Sequence, residues 1–303
     1  MAVIRTETLG KTYRGGTVAL RGLDLEVHAG EVFGFLGPNG AGKSTTIRLL
    51  LNFIRPSGGA AYLFGQPVTC AQTRKELGYL PESVQLHSYY SGRRLLEFYA
   101  SLLGLERADC SRRAGELLER LGLREAAERR ISQYSKGMLQ RLGMAQALIN
   151  DPELLILDEP TSNLDPVARR DFRDILLDLK ARGKTVFVCS HILSEVESVC
   201  DRVAILQKGE LKRVGTLEEL SGARGARIVV GRLPAAVIEA LSATDARLTL
   251  KGRESTIVCD SQSLLEHVRQ VLDDLGVDVK RVEPQMQSLE EIFFGAIDRE
   301  RTA

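Results

Sequence analysis

The amino-acid sequence predicts an α/β fold built on a mostly parallel β-sheet, followed by a smaller α+β region at the carboxyl end. Three observations support this prediction. Short apolar runs that suit strands buried on both faces alternate with segments of helical periodicity. A mostly helical stretch at residues 92–149 interrupts that alternation as an insertion. Beyond a Ser/Gly/Ala-rich linker at residues 221–226, strand and helix patterns follow in the order βαββαβ, which is typical of ferredoxin-like domains.

Length and composition limit the kind of protein this can be. The 303 residues suffice for about two domains, and 44% hydrophobic with 27% charged residues is ordinary globular usage. Forty-one basic side chains against 40 acidic ones give a net charge of +1, which argues against a protein that mainly coats nucleic acid. The five cysteines form no CxxC pair, so we expect neither a disulfide framework nor a zinc site. The compartment that fits this cysteine usage is a reducing cytosol.

No segment of the sequence has the pattern of a signal peptide or of a membrane-spanning helix. The amino terminus, MAVIRTETLGKTY, lacks the apolar core of a signal peptide. No run approaches the ~18 uninterrupted apolar residues that span a membrane. We therefore expect a cytoplasmic chain that acts at a membrane only through a partner.

The elements of the first region follow from the spacing of its apolar residues. Period-two alternation, or a short unbroken apolar run, predicts strands at 3–8, 18–27, 31–36, 61–68, 77–80, 154–157, 185–189 and 203–206. Helical spacing predicts helices at 44–53, 167–182 and 193–199, besides the insertion. This pattern places residues 1–221 in one domain, with a helical subdomain at about 83–150.

The second region, residues 222–303, is predicted to be an accessory α+β domain. Its strands are expected at 227–230, 246–250, 255–260 and 277–283, and its helices at 234–241 and 262–275. A last helix at 288–299 begins with Ser288-Leu-Glu-Glu291, which is typical of a capping box. The apolar face of this helix suits packing on the domain's own sheet or docking on a second copy of the chain. That face comprises Leu289, Ile292, Phe293 and Ile297.

A glycine-rich turn between the strand at 31–36 and the helix at 44–53 carries the strongest chemical signal. Its sequence, Gly37-Pro-Asn-Gly-Ala-Gly-Lys43-Ser44, fits the phosphate-binding pattern GxxxxGK[ST] in the required strand–turn–helix context. Glycines let backbone N–H groups turn towards a polyphosphate, and the helix N-terminus adds partial positive charge. We expect Lys43 to reach the β- and γ-phosphates and the Ser44 hydroxyl to bind Mg²⁺. The candidate nucleotide-binding residues are Gly37, Pro38, Asn39, Gly40, Ala41, Gly42, Lys43, Ser44 and Thr45.

A second signal is the apolar strand at 154–157, which ends in Asp158 and Glu159. The carboxyl end of a parallel strand puts both carboxylates at the edge of the sheet where the phosphate loop lies. We expect Asp158 to hold Mg²⁺ through water and Glu159 to act as the general base that polarises an attacking water. Because apolar strands that end in an acid are common, this assignment depends on the phosphate loop. The two motifs together predict a nucleotide hydrolase.

A third motif indicates the family. Tyr134-Ser-Lys-Gly-Met138 resembles the LSGGQ signature of ATP-binding cassette (ABC) ATPases, and the resemblance covers residues 3 to about 220. Tyr13 is similar to the aromatic residue that stacks on adenine, and Ser162-Asn-Leu-Asp165 is similar to the D-loop. His191 resembles the switch histidine that hydrogen-bonds the γ-phosphate. The motifs stand in the family's order along the chain.

Taken singly, these residues also fit ordinary structural roles. Ser135 suits a helix N-cap, Asp165 a turn before proline, and Tyr13 an exposed surface. A histidine after a strand, like His191, is more often a polar residue with satisfied hydrogen bonds than a catalytic one. Only the ordered set points to the family.

The resemblance implies a mechanism that needs two chains. In ABC proteins two cassettes enclose two ATP molecules head to tail, so Ser135 and the backbone of Gly137 would contact the γ-phosphate bound by the other cassette. Gly137 at a helix start offers unpaired N–H groups to an anion. Because the chain has one phosphate loop, the second cassette is another copy, as a homodimer, or a paralogue. The implied cofactors are ATP and Mg²⁺, and the implied catalytic residues are Lys43, Glu159 and His191.

Two departures from the family pattern concern the metal and the transport branch. At the Q-loop Glu82 stands where the family usually has glutamine. Its carboxylate still offers an oxygen to Mg²⁺, beside Ser44 and Asp158, and adds negative charge near the metal. The signature carries Lys136 and Met138 in place of glycine and glutamine, which is similar to cassettes of drug, polysaccharide and ion exporters.

The resemblance further implies an integral membrane permease as partner and a place on the inner face of the cell membrane. In ABC exporters the segment after Glu82 cups a short cytoplasmic coupling helix of the permease. Large amphipathic side chains suit such an interface, although they equally suit the core of the insertion. The candidate residues are Leu86, His87, Tyr89, Tyr90, Leu95 and Phe98.

Three functions from different classes fit the motifs to different extents. The first is the ATP-hydrolysing subunit of a membrane exporter. The second is a non-transport ABC ATPase acting on nucleic acid or ribosomes, but the sequence lacks a second cassette, long coiled coils and basic excess. The third is a regulatory module that uses the carboxyl-terminal region as a sensor; an RNA-binding version lacks the expected aromatic residues. The motifs favour the first function and predict no nucleic-acid partner.

Overall fold

The computed structural model describes residues 1–162, 164–221, 225–251, 254–285 and 288–298 of the chain. The chain divides into two compact units, Met1–Thr216 and Leu217–Ala303. The division precedes the boundary expected at residue 221, because a short helix at Leu217–Leu220 belongs to the second unit. Residues 222–224 of the expected linker lie outside the described residues.

The elements of the first unit agree closely with the expected segments. Its strands are β1 (Ala2–Thr12), β2 (Val18–His28), β3 (Val32–Leu36), β4 (Gly58–Leu63), β5 (Gln66–Pro67), β6 (Leu77–Leu80), β7 (Leu154–Asp158), β8 (Thr185–Ser190), β9 (Arg202–Gln207) and β10 (Glu210–Thr216). Its helices are α1 (Lys43–Leu50), α2 (Gly92–Leu102), α3 (Arg107–Arg120), α4 (Lys136–Ala147), α5 (Pro166–Ala181) and α6 (Leu193–Val199).

Two differences from the expected strands have their cause in tight turns. The strand expected at 61–68 is interrupted at Phe64 and Gly65, which both have positive φ (52° and 74°) and turn β4 back into β5. Strand β10 was not expected. It follows a two-residue turn at Lys208 and Gly209, again with positive φ at both residues, and pairs with β9 as a hairpin.

The strands of the first unit form two sheets. A six-stranded sheet has the order β10-β9-β3-β8-β7-β6 and is parallel except for the β10–β9 pair. Strands β1, β2, β4 and β5 form a separate antiparallel sheet in the order β2-β1-β4-β5. Strands β1, β2, β4 and β5 therefore lie outside the parallel sheet.

One hydrophobic core joins both sheets to α1. Phe33 and Phe35 of β3 pack on Phe187 of β8, with ring centroids 5.9 and 5.3 Å apart. Leu23 of β2 and Ile47 of α1 are fully buried in the same cluster. Burial of such side chains contributes roughly 1.5–3 kcal/mol each. This packing fixes α1, and with it the glycine-rich turn that precedes the helix.

Parallel pairing brings the carboxyl ends of four strands to one edge of the sheet. The paired strand ends are Leu36 with Ser190, Asp158 with Cys189, and Leu80 with Leu157. The segments that follow these strands leave the sheet as neighbours, and they carry the phosphate loop, Glu82, Glu159 and His191. Residues that are far apart in the sequence are thereby gathered at one edge.

The helical insertion separates the residues expected at the permease surface into two groups. Leu95 of α2 is buried in the insertion's core, as the structural alternative for that residue required. The side chains of Tyr89, Tyr90 and Phe98 are 80%, 48% and 52% exposed. His87 is exposed and Leu86 is half-buried. Aromatic residues of this segment therefore lie on the protein surface.

The second unit has the expected βαββαβ order. After α7 (Leu217–Leu220) its elements are β11 (Gly225–Val230), α8 (Ala235–Ser242), β12 (Arg247–Lys251), β13 (Glu254–Cys259), α9 (Gln262–Asp274), β14 (Val279–Gln285) and α10 (Leu289–Asp298). The strands pair antiparallel in the order β12-β13-β11-β14, which is the ferredoxin-like arrangement. Ile228, Ile257 and Val268 are fully buried in its core.

Helix α10 starts with the expected capping box. The backbone N–H of Glu291 donates to Ser288 Oγ at 3.3 Å, and the N–H of Ser288 donates to Glu291 Oε2 at 3.2 Å. Leu289, Ile292 and Phe293 are buried within the single chain, so docking on a second copy is not needed to cover them. The side chain of Ile297 lies outside the described residues.

Within the part of the chain that the structure describes, no helix has the length and apolar character needed to cross a bilayer.

Candidate functional site

A cleft of about 430 Å³ lies where the phosphate loop, Glu159 and His191 leave the parallel sheet. It brings most of the expected site residues together. Those in its lining are Tyr13, Pro38, Asn39, Gly40, Ala41, Gly42, Lys43, Ser44, Thr45, Glu82, Glu159 and His191. Thr17, Val18 and Ala19 also line the cleft and were not expected there. The Gly15-Gly16 pair was the available signal, because the turn it permits returns Thr17 beside Tyr13, with Tyr13 N–H donating to Thr17 O at 2.9 Å.

The glycine-rich turn needs its glycines at two positions in particular. A Cβ on Gly37 would lie 2.5 Å from Leu206 O, and a Cβ on Gly42 would lie 2.7 Å from Ala19 O. Gly42 also has φ +114°, a backbone conformation that residues other than glycine rarely adopt. As the N-cap of α1, Gly42 has no side chain that could accept from the first N–H groups of the helix. An anion in the cleft can take that place.

Lys43 spans the inside of the turn. Its ammonium donates to Gly37 O at 2.7 Å and lies 3.4 Å from Glu159 Oε1. The Lys43 side chain is only 6% exposed, so its charge is balanced chiefly by this carboxylate. A polyphosphate entering the cleft would compete with Glu159 for the same ammonium.

Glu159 connects Lys43 to the histidine. Glu159 Oε2 lies 2.7 Å from His191 Nδ1 and also accepts from the His191 backbone N–H at 3.3 Å. The Glu159 backbone has φ +48°, a left-handed conformation that costs about 1–3 kcal/mol and persists only where the surroundings hold it. Its own N–H donates to Cys189 O at 2.9 Å. The two carboxylate oxygens thus face two different cleft residues.

Asp158 lies beneath the cleft and fits a metal ion. Its side chain is buried beside the Ser44 hydroxyl, and Oδ1 has no hydrogen-bond partner among the described residues. Burial, followed by the charges of Glu159 and Glu82, raises the pKa of Asp158 to about 6. A buried orphan oxygen beside a hydroxyl is the donor set expected for Mg²⁺ that completes its shell with phosphate and water. Glu82 is exposed at the cleft rim.

Tyr13 is part of the cleft lining. Its hydroxyl is 3.3 Å from Thr45 Oγ1, which ties the ring to the start of α1. The Lys11 ammonium lies 5.4 Å from the ring centroid. The ring is half-buried and offers a flat apolar surface beside the phosphate loop.

Five expected residues lie outside the lining of this cleft: Gly37, Asp158, Ser135, Gly137 and Asp165. Ser135 is exposed, and its hydroxyl accepts from Met138 N–H at 3.2 Å at the start of α4. Asp165 accepts from Ala168 N–H at 2.8 Å at the start of α5. The capping role weighed for Ser135 is therefore present in the single chain, and Asp165, which was weighed as a turn residue before proline, also caps a helix. Asn163 of the D-loop lies outside the described residues.

Comparison with known proteins gives the family. The family model described as ABC transporter matches residues 20–162. The ABC transporter ATP-binding protein all4389 of Nostoc sp. (strain PCC 7120) is 44% identical over 313 residues, which cover 100% of this chain and 92% of that protein. The fluoroquinolones export ATP-binding protein of Mycobacterium tuberculosis is 42% identical over 75% of each chain.

A solved structure is similar in fold. The ATP-binding cassette MJ0796, in a dimeric post-hydrolysis state bound to ADP and Pi, is 25% identical with a TM-score of 0.65. The match covers 70% of this chain and 98% of that chain. Together with the cleft geometry, these similarities show that the chain belongs to the ATP-binding subunits of ABC transporters, the ATPases that are coupled to transport.

Proposed function

We propose that this chain powers a membrane exporter by binding and hydrolysing Mg·ATP between two cassettes. The observation that carries the proposal is the convergence of Lys43, Glu159 and His191 on a cleft that contains the phosphate loop. The direction of transport is supported by the name of the fluoroquinolones export relative. No observation favours the alternative function on nucleic acid or ribosomes.

The phosphates of ATP are assigned to the glycine-rich turn. The glycine-rich turn, apart from Pro38, and the uncapped start of α1 present backbone N–H groups, and Lys43 turns from Glu159 to the β- and γ-phosphates. Tyr13 offers its ring to the adenine base. Mg²⁺ is assigned to Ser44 and Asp158, with Glu82 at the rim. When bound, the metal neutralises the charge that develops on the phosphate oxygens.

Glu159 is assigned the role of general base. When Lys43 engages the phosphates, Glu159 loses a positive partner and keeps His191, at 2.7 Å. Its carboxylate is then free to accept a proton from a water that attacks the γ-phosphorus. The His191 ring and backbone N–H hold that carboxylate in place while the water approaches.

Ser135 and Gly137 are assigned to the nucleotide of the second cassette. They stand at the start of α4, on the protein surface and away from this chain's own cleft. A second copy placed head to tail would set its helix start against the γ-phosphate, where the helix dipole favours an anion. Asp165, at the start of α5, belongs to the same proposed interface. We propose a homodimer on these grounds.

The exposed aromatic residues of the insertion are assigned to the permease. Tyr89, Tyr90 and Phe98 offer rings to a cytoplasmic segment of that membrane protein, which would hold this chain at the inner face of the membrane. Residues 222–303 would act as an accessory domain. If Tyr89→Ala co-purified with the permease as well as the wild-type chain does, this surface would be wrongly assigned.

Reconstitution tests the proposed function. The full chain and a membrane protein that co-purifies with it would be placed in proteoliposomes, and ATP hydrolysis and movement of the co-purified compound measured together. We expect both activities with the wild-type chain and neither with Glu159→Gln. Hydrolysis that responds to RNA or ribosomes and ignores the permease would contradict the proposal.

A further inference from the structure

A carboxylate behind the cleft holds the loop that follows Glu159. We propose that Glu195 of α6 is a positioning residue for hydrolysis, because it holds Thr161 directly and Leu164 through Arg169, and so keeps the Glu159 carboxylate aimed into the cleft. The inference deepens the proposed function and rests on it. Glu195 itself does not line the cleft.

The clamp consists of two contacts on one side chain. Thr161 Oγ1 donates to Glu195 Oε2 through a short hydrogen bond. Glu195 Oε1 lies 3.6 Å from Arg169 Nε, and the same Nε donates to Leu164 O at 3.0 Å. Glu195 therefore reaches Thr161 directly and Leu164 through Arg169.

The environment of these groups makes the contacts matter. Thr161 is 5% exposed, and Glu195 Oε1 is buried without a hydrogen-bond partner among the described residues. The Arg169 guanidinium is thus the group that balances this oxygen. Removing either partner leaves a buried polar group without a hydrogen bond. The present position of the loop then becomes less favourable in free energy.

The loop needs to be held because its neighbour is strained. Glu159 has φ +48°, and a strained residue relaxes when its surroundings loosen. Ser162 Oγ donates to Glu159 O at 3.1 Å, and Gln140 Nε2 of α4 donates to Pro160 O at 2.9 Å. The Thr161–Glu195 contact completes this set from the side of α6.

Glu195 also links the two residues that face each other in the cleft. It lies in the segment that begins with His191, and Ile192 N–H donates to Ser190 Oγ at 3.0 Å where that segment leaves β8. The loop after Glu159 is therefore tied to the chain segment of His191. Releasing the tie would separate the Glu159 carboxylate from its histidine without touching the phosphate loop.

The test compares kcat with nucleotide affinity in the full-length chain. Thr161→Val removes the hydroxyl at nearly constant volume, and Glu195→Ala removes the carboxylate. We expect each to lower kcat about tenfold and to change the dissociation constant of a fluorescent ATP analogue by less than about twofold. Thr161→Ser restores the hydroxyl and should retain most of the activity. Glu197→Ala makes the same chemical change at an exposed position of α6 and serves as the control.

Two outcomes would overturn the inference. The first is a kcat near the wild-type value in both Thr161→Val and Glu195→Ala. The second is a joint loss of kcat, nucleotide affinity and thermal midpoint that Thr161→Ser does not reverse, because that pattern indicates a purely structural contact. Glu159→Gln is assayed in parallel. If Glu159→Gln hydrolyses ATP normally, the proposed function fails; if it is inactive while the clamp variants are normal, only this inference fails.

Discussion

Two regions of the cassette unit differ in how much of their chemistry one chain completes. In the cleft, Lys43, Asp158 and Glu159 are buried, and Lys43 and Glu159 balance each other's charge. At the start of α4, Ser135 is exposed and Gly137 half-buried, and the Ser135 hydroxyl is used as a helix cap. The charged groups of the cleft are paired within one chain, whereas the start of α4 presents donors and a helix dipole at the protein surface.

The contrast follows from what each element can hold alone. Buried charges persist in a single chain only when a counter-charge is built in beside them, as Lys43 and Glu159 show. A helix start on the surface is hydrated and needs no partner to be stable. Its favourable interaction with an anion appears only when another molecule supplies the anion. The expected effects of substitution therefore differ between the two regions.

The largest expected effect is on hydrolysis in the cleft. Glu159→Gln should lower kcat by roughly 10²–10⁴-fold, because an amide cannot accept the proton of the attacking water. The affinity for ATP should be retained, since the phosphate loop is untouched. Steady-state hydrolysis and a binding titration measure the two quantities. Glu153→Gln changes an exposed glutamate just before the same strand and should leave both unaltered; turnover of Glu159→Gln near the wild-type rate would remove Glu159 from its role.

Lys43→Ala should weaken ATP binding by roughly 10–100-fold, because the phosphates lose a charge-assisted hydrogen bond. A binding titration with a slowly hydrolysed ATP analogue gives the dissociation constant. Lys184→Ala is the matched control, since Lys184 is also ion-paired but stands outside the cleft lining. An unchanged dissociation constant for Lys43→Ala would mean that this ammonium does not contact the phosphates.

The substitution Asp158→Asn tests whether the ionised Asp158 carboxylate destabilises the folded protein. Its pKa is raised to about 6 from an ordinary value of 3.8, so the folded state disfavours the ionised carboxylate above pH 6. Without Mg²⁺ and nucleotide, Asp158→Asn should therefore raise the free energy of unfolding by on the order of 2–3 kcal/mol above pH 7. The gain should shrink as pH falls through about 6 and vanish below about 3.8, where the carboxyl is protonated in both states. A gain in urea unfolding that does not depend on pH would contradict this account.

The smallest expected effect is at the start of α4. Ser135→Ala should lower hydrolysis about tenfold, through one lost hydrogen bond to the nucleotide of the other cassette, without changing nucleotide binding by the single chain. The hydroxyl of Ser91 caps α2 in the same way, because it accepts from Arg94 N–H. Ser91→Ala therefore controls for the loss of about 1 kcal/mol of capping stability. Equal losses of hydrolysis in the two variants would show that Ser135 is only a cap.

Local patterns predicted the strands and the phosphate loop because those features depend on neighbouring residues. The buried runs of β3, β7 and β8 and the glycines before Lys43 are of this kind. Strand β10 escaped prediction because its turn uses Lys208-Gly209, and lysine is not a usual residue at positive φ. The separate antiparallel sheet depends on long-range pairing, which alternation does not encode.

Contacts between residues that only folding brings together could not be predicted from the sequence either. Thr161 and Glu195 are in contact because β7 and β8 are neighbours in the sheet. The spacing of these two residues in the sequence does not predict this contact. The raised pKa of Asp158 likewise depends on how deeply β7 is buried. The motifs identified which residues the cleft would use, but not how they are held.

The dimer is the central claim, and light scattering on the Glu159→Gln chain under saturating Mg·ATP tests it most directly. We expect the mass of two chains with Mg·ATP and of one chain without nucleotide, because the cleft of one copy and the α4 start of the other share each ATP. A mass of one chain under saturating Mg·ATP, in the presence of the permease as well as in its absence, would contradict this claim.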